Sequence, residues 1–360
     1  MKVKLEHVCR RGSSNLMQKE VIALTGAYPI FGAAGQIGTA DFYHQGKPYV
    51  AIVKDGAGIG RTMLLPAFSS VIGTLQYLIP NEKVLPEYLC YVVQHMNLAK
   101  YFSGATIPHI YFRDYKNEEF NLESLDKQRE IVSILNRIKR IISCRQNQLA
   151  KLDELVKCRF VEMFIGKGYP RRELQSLIQD GTSISYGIVQ PGDDGTGNIG
   201  LLRPVDFHNG SVVLDNLKYI GEAISNLSRK TILEGNELLI TVRGTTGLTA
   251  LTNSNHRGMN VTRGIAVVKY DGRKIVPEYL QAFMSSDESQ TYIREHTRGA
   301  TLQQINLSDL RIQSILVPPF VEQQTFADFV SLIDKLRVAV QASLDKTQQL
   351  FDSLMQEYFG

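Results

Sequence analysis

The sequence contains two diverged copies of one unit, and this constrains the fold more than any other feature. Gly104-Ala105-Thr106-Ile107 returns as Gly299-Ala300-Thr301-Leu302, an offset of 195 residues. At that offset Ile110 meets Ile305, Asp114 meets Asp309 and Gln128 meets Gln323. The register then holds without a gap through Lys151 and Lys346, Leu155 and Leu350, Glu162 and Glu357, and Phe164 and Phe359. Upstream it continues with small indels. Leu85-Pro86-Glu87-Tyr88-Leu89 resembles Val276-Pro277-Glu278-Tyr279-Leu280 at an offset of 191. Asp55-Gly56-Ala57-Gly58-Ile59-Gly60 resembles Arg243-Gly244-Thr245-Thr246-Gly247. Each copy is a globular part followed by a long polar–apolar segment. The globular parts diverge most, whereas the segments keep length and register. Two similar frames with different inserts imply two reading heads on one scaffold.

The long segments read as helices. From Leu125 to Phe164 there is neither Gly nor Pro to break one. Apolar residues recur at alternating steps of four and three: Ile131, Leu135, Ile138, Ile142, Leu149, Leu152, Val156 and Met163. Arg145 and Arg159 interrupt the stripe. The second copy gives Phe326, Val330, Ile333, Val340, Leu344, Phe351, Leu354 and Tyr358, interrupted at Arg337 and Thr347. The interruptions fall at different steps, which favours pairing between non-identical helices. Two amphipathic helices on separate cores are the plainer alternative. The expectation is an antiparallel intramolecular coiled coil, with Ile131, Leu135, Ile138, Leu149, Phe326, Val330, Ile333 and Leu344 at the contact. At about 1.5 Å per residue, a helix of about 33 residues spans roughly 50 Å, a ruler between two heads.

Each head reads as mixed α/β with short strands. In the first, Pro48 to Val53 and Val71 to Ile79 are strand-like, and Leu85 to Tyr101 is helical. In the second, Glu237 to Val242 and Gly264 to Lys269 are strands, and a helix starts at Val276. Both first strands end in the glycine turns noted above. Arg and Lys suit guanine edges and phosphates, Asn and Gln suit adenine, and glycine turns let backbone N–H groups approach phosphate. The DNA-binding candidates in the first copy are Tyr28, Lys54, Arg61, Thr106, His109 and Tyr111. In the second copy they are Tyr186, Arg243, Thr245, Arg263, Arg298, Thr301, Gln303 and Gln304, with Arg257 and Asn260 nearby. For any one of these, an ordinary solvated side chain is the competing reading.

Composition narrows the classes. A net charge of +4, with 43% hydrophobic and 21% charged residues, is ordinary for a globular chain with a core and is compatible with nucleic-acid binding through local patches. Cys9, Cys90, Cys144 and Cys158 form no CxxC pair and have no His at ligand spacing. Reduced, buried or half-buried thiols are expected, and no metal site. The first residues lack the apolar core of a signal peptide, and no run has the ~18 apolar residues of a membrane span, so a cytoplasmic protein is expected. No GxxxxGK[ST] run is present. The glycine-rich Gly56 to Gly60 lacks the spaced third glycine of a dinucleotide fingerprint, and its counterpart loses the pattern. Val317-Pro318-Pro319-Phe320 is similar to the (N/D/S)PP(Y/F) tetrad of adenine methyltransferases, but Val replaces the polar first residue. His109 and His256 show no carboxylate or nucleophile partner, so a structural or surface role is expected. No catalytic residues are assigned.

Taken together, these features resemble the specificity subunit of type I restriction-modification systems. The residues carrying the resemblance are Gly104 to Ile110 with Leu125-Asp126-Lys127-Gln128, and Gly299 to Ile305 with Val317-Pro318-Pro319-Phe320-Val321-Glu322-Gln323-Gln324. Tyr28-Pro29-Ile30-Phe31-Gly32 with Asp55-Gly56 is similar to the start of such recognition domains. The first copy has Glu123-Ser124-Leu125 where the family carries Pro-Pro-Leu, which weakens the entry turn. The resemblance implies target-recognition domains at 1–122 and 167–316 and spacer helices at 123–166 and 317–360. It implies that each domain reads half of a split site on double-stranded DNA and that the chain is non-catalytic. The helices would dock two methyltransferase subunits, with restriction or translocase subunits as further partners. No cofactor is expected in this chain; S-adenosylmethionine, ATP and Mg belong to the partners. A protein-binding scaffold, an orphan methyltransferase and a related type II specificity subunit are the alternatives.

Overall fold

The computed structural model describes residues 1–56, 58–103, 108–190, 192, 197–208, 210–300 and 302–360. They form two compact units, Met1–Asn147 with Gln341–Gly360, and Gln148–Val340.

Both units are built the same way. In the first, a four-stranded antiparallel sheet runs Cys9–Ser13, Leu75–Pro80, Tyr49–Val53, Thr62–Leu65. In the second, the order is Ser185–Tyr186, Ile265–Val268, Leu238–Thr241, Thr249–Leu251. A second, three-stranded sheet is an antiparallel pair extended by one parallel strand. It is Gly35–Ala40, Tyr28–Gly32, Ser70–Val71 in the first unit and Lys218–Ile220, Ile199–Leu202, Asn260–Val261 in the other. The repeat in sequence is thus a repeat in topology, of mixed helix and strand.

The central strands explain the continuous apolar runs. Every residue of Tyr49–Val53 and of Leu238–Thr241 is buried. Val50 and Ile52 join one core with the helix Pro86–His95, while Tyr49 and Ala51 join another with the second sheet. Leu238 and Ile240 likewise face the helix Pro277–Met284, and Leu239 faces the other way. A strand covered on both faces needs no polar alternation.

Two sequence expectations fail locally. The helix expected to reach Tyr101 stops at His95, because Asn97 adopts a left-handed φ of 47° before a 3-10 turn. Asn enters the left-handed region more readily than most side-chain-bearing residues. The strand expected over 71–79 is split. Gly73 turns the chain, its N–H donating to Leu16 O at 2.8 Å, and the strand Leu75–Pro80 follows.

The first long helix spans Leu125–Phe164 and the second Phe320–Phe359, 40 residues each. Among the described residues no helix is long and apolar enough to cross a membrane. The heptad stripe is the less exposed face of both helices, interruptions included. In the first unit Ile131 and Leu135 share a core with Met355 and Phe359, while Lys139 Nζ lies 5.5 Å from the Phe351 ring. In the second, the rings of Phe160 and Phe164 lie 5.7 Å and 5.6 Å from Phe326, and Arg337 Nη2 donates to Asp153 Oδ1 at 2.6 Å. In each unit later residues of one helix meet earlier residues of the other, so the segments run antiparallel. Arg337 is tolerated in the stripe because Asp153 faces it. Cys144 and Cys158 are exposed rather than buried or half-buried, because they fall off the stripe. Cys9 and Cys90 are buried, which pushes their thiols up to about 12 and about 11.

Each unit fastens its helix to its sheet through a buried glutamine. Gln128 accepts from Leu85 N–H at 2.8 Å and donates to Lys83 O and Glu123 O, both at 2.9 Å. Gln323 accepts from Val276 N–H at 2.9 Å and donates to Pro318 O at 2.8 Å. The first copy thus makes the same bond without the second copy's Pro318 and Pro319. Tyr88 and Tyr279 repeat the theme, donating to Asn121 O at 2.9 Å and Leu316 O at 2.8 Å. Gln323→Ala strands a buried N–H and leaves a void, so it is expected to cost about 2–4 kcal/mol. Denaturant unfolding checks this, and a loss below about 0.5 kcal/mol would contradict the buried clamp.

Candidate nucleic-acid interface

The strands Tyr49–Val53 and Leu238–Thr241 both run into a glycine turn, and the two turns make the same backbone bonds. Gly60 N–H donates to Val53 O at 2.9 Å, and Gly247 N–H to Thr241 O at 2.8 Å. Gly56 and Gly244 each sit at φ 82°, a conformation that side-chain-bearing residues rarely adopt. Their N–H groups donate to Pro108 O at 3.1 Å and Gln303 O at 2.9 Å. Ile110 N–H donates to Lys54 O, and Ile305 N–H to Val242 O, both at 3.0 Å. The turn is therefore stitched to the chain that follows the Gly-Ala-Thr motif. It joins two antiparallel strands, whereas a phosphate-cradling loop joins a strand to a helix.

The stitch creates a row of three residues across three extended segments. In the first unit Asp55 bridges to His109, and His109 to Ser103. In the second, Arg243 bridges to Gln304, and Gln304 pairs with Arg298. Ser103 and Arg298 stand at the same 195-residue offset as His109 and Gln304. Directly opposed residues on antiparallel segments point to one face. The side chains bear this out in the first unit, where His109 Nδ1 lies 2.7 Å from Asp55 Oδ1. That corrects the expectation of a histidine without a carboxylate partner. Fifty-four residues separate the two in the chain, and only the strand-to-loop bridge joins them.

Both rows are accessible. Ser103, Gln304 and Arg298 are exposed, and Asp55, His109 and Arg243 are half-buried. Lys54 Nζ is 3.7 Å from Asp55 Oδ2, and Tyr111 stacks at 6.4 Å from the His109 ring beneath the Arg113 guanidinium, 4.8 Å away. Arg61, beside the first glycine turn, donates to Ala33 O at 3.2 Å. Thr245 and Gln303 are exposed next to the second row. Arg263 precedes Gly264, whose carbonyl accepts from Val242 N–H at 2.8 Å. Arg298 Nη2 approaches Asp309 Oδ2 at 3.8 Å, a surface pair of small strength.

Tyr28 and Tyr186 stand on other strands. Tyr28 packs against Tyr43 at 4.9 Å, and Tyr186 is exposed on the edge of its sheet. Thr106 and Thr301 lie outside the described residues. His256 is buried and accepts from Asn253 N–H at 3.0 Å, and burial lowers its pKa. Sequence reasoning treated Asp55 as part of a turn and overlooked Ser103; carrying Arg243 and Arg298 back through the repeat would have found both.

A Ser, a His and an Asp in one row invite comparison with a nucleophile, base and orienting acid. That chemistry requires the hydroxyl to face the free ring nitrogen. Here Ser103 Oγ donates to the His109 carbonyl at 3.4 Å instead, and the second unit replaces all three residues. Among the described residues no group of three His, Cys, Asp or Glu could hold a metal ion. The arrangement offers a row of hydrogen-bonding groups on a fixed backbone.

The sequence matches the family described as type I restriction modification DNA specificity domain over residues 1–154 and 194–347. The chain belongs to that family. A curated relative, the type I restriction enzyme EcoBI specificity subunit of Escherichia coli, is 25% identical over 202 residues. The match covers 55% of this chain but 42% of that relative. The fold is shared with the type I restriction-modification S subunit from M. genitalium, at a TM-score of 0.61 and 14% identity, covering 100% of this chain and 96% of that one. It is also shared with a chain from a study of complex assembly and conformational transition of the type I R-M system, at a TM-score of 0.59 and 14% identity, covering 99% and 97%.

An Asp55 carboxylate accepts from Nδ1–H, so the neutral His109 ring is expected to carry its proton there and present Nε2 outward as an acceptor. Nitrogen-15 NMR of the imidazole reads this directly, and Asp55→Ala should abolish the preference. A wild-type ring protonated at Nε2 alone would contradict it.

Proposed function

We propose that this chain is the sequence-reading subunit of a type I restriction-modification enzyme, each unit reading one half of a split site on double-stranded DNA. The observation that carries the reading is the paired row: one backbone frame, repeated, bearing Asp55, His109 and Ser103 in one unit and Arg243, Gln304 and Arg298 in the other. Phosphate contacts position a protein on DNA, and side chains at base edges specify sequence. A reader of two different half-sites needs a fixed frame and changed side chains.

On this reading the chain is non-catalytic and cytoplasmic. It brings a methyltransferase partner to its site, with two such subunits per chain docked on the long helices. Restriction and translocation belong to a further partner. S-adenosylmethionine, ATP and Mg act in those partners. A related type II specificity subunit would share the same reading chemistry.

Affinity for duplex DNA is expected to fall steeply with salt, because cations on the protein displace condensed counterions. Binding isotherms at several salt concentrations test this, and a flat response would favour a protein-binding scaffold. Arg243→Ala is expected to reduce discrimination at one half-site by about tenfold, with subunit assembly unchanged by gel filtration. Loss of assembly would mark Arg243 as structural.

A further inference from the structure

We propose that the three-residue rows are homologous reading positions of opposite hydrogen-bonding character: the second unit's row reads an acceptor edge of guanine, and the first unit's row reads an exocyclic base amino group. This rests on the DNA-reading function proposed above and says which atoms of the base each unit recognises.

The backbone frames match bond for bond. Turn to loop, Gly56 to Pro108 matches Gly244 to Gln303, and Ile110 to Lys54 matches Ile305 to Val242. Cross-segment pairing also matches, with His109 between Asp55 and Ser103, and Gln304 between Arg243 and Arg298. The side chains on these frames carry opposite chemistry. Arg243 and Arg298 are donors only, and they flank Gln304, which can donate and accept. Neither Arg243 nor Gln304 has a side-chain hydrogen bond or ion pair with any described residue, and Arg298 has only the 3.8 Å approach to Asp309. Arginine bonds guanine O6 and N7 in a fork, and a row with four or more free donor hydrogens suits that edge.

The first unit inverts the polarity. Asp55 contributes acceptors, and its bond to His109 turns the ring so that Nε2 is an acceptor in the neutral form. Ser103 Oγ lies 3.4 Å from the His109 carbonyl, and its exposed hydroxyl has lone pairs that can accept. Lys54 Nζ approaches Asp55 Oδ2 at 3.7 Å from one side of the row. A row of acceptors matches the amino group of cytosine N4 or adenine N6 and repels the O6 and N7 of guanine. Asp55 acts both as a reader and as the positioning residue for His109.

The test is selection from a duplex library with both half-sites randomised, using the chain assembled with its methyltransferase partner. Gln304→Glu and Asp55→Asn each change hydrogen-bonding polarity with little change of shape. Gln304 is exposed and makes no side-chain bond within the described structure, so its variant has no fold-dependent contact to lose. Gln304→Glu should shift base preference about tenfold at one position of one half-site and leave the other half-site unchanged. Asp55→Asn should do the same at one position of the opposite half-site, where the wild-type preference is for cytosine or adenine on the read strand. His109→Gln, which keeps an acceptor, should retain more of that preference than His109→Ala. Preferences unchanged in both variants, or affinity lost equally for every duplex, would overturn the reading rows while the DNA-reading function stands. A wild-type assembly that enriches no sequence would overturn both.

Discussion

A buried amide at the root of each long helix sets the geometry on which everything above it depends. Gln128 and Gln323 are 0% and 1% exposed, with donors and acceptors occupied. An apolar residue there would bury as much surface but leave the N–H of Leu85 or Val276 without a partner. The amide also has direction, so it fixes how the helix meets the turn that starts Pro86–His95 or Pro277–Met284. Those short helices lie under the central strand, and the strand delivers the glycine turn. The chain of dependence runs from helix to amide, to short helix, to strand, to turn, and ends at the three-residue row. On the proposed reading the row meets base edges and needs such backing, because a loop held only by its own ends would not keep its hydrogen-bonding groups in place.

The division between what repeats and what varies follows the physics of each position. Central strand, buried tyrosine and buried glutamine repeat because packing and satisfied polarity tolerate few substitutions. The row residues share a backbone and a partly exposed face, so their side chains are free to differ without cost to folding. Asp55 opposite His109 and Arg243 opposite Gln304 are both acceptable pairs across a bridge, yet they offer opposite charge outward. One backbone frame thus appears twice in the chain with no row residue in common.

Most of the frame was legible in the sequence. The stripe from Ile131 to Met163 and its partner from Phe326 to Tyr358 mark the less exposed faces of the two helices, Arg337 included as an interruption. What periodicity could not say is that Asp153 answers it, 184 residues away. The same limit hid the site. Arg243, Gln303 and Gln304 were visible as polar residues near turns, but Asp55 and His109 are joined only by a loop folding back onto a strand end. The helix end at Asn97 also escaped, because it depends on a local angle rather than a repeating pattern, whereas the exposure of Cys144 and Cys158 follows from their positions off the stripe and was legible in it.

Net charge misleads for a chain like this. At +4 over 360 residues the sequence looks barely basic, which argues against a dedicated nucleic-acid binder if charge alone is weighed. The two rows show why the sum is uninformative. One carries two arginines and the other an aspartate, so the total barely registers them while the local charge of the two rows is opposite. Base discrimination of about 1–3 kcal/mol per bidentate contact comes from matching donors to acceptors at contact distance, not from the field of the whole molecule. On the proposed reading, an acidic residue in the row weakens nonspecific attraction to phosphate, which confines tight binding to duplexes whose edges complement it. The low net charge belongs to the whole chain, with 40 Lys and Arg against 36 Asp and Glu, and measures neither row.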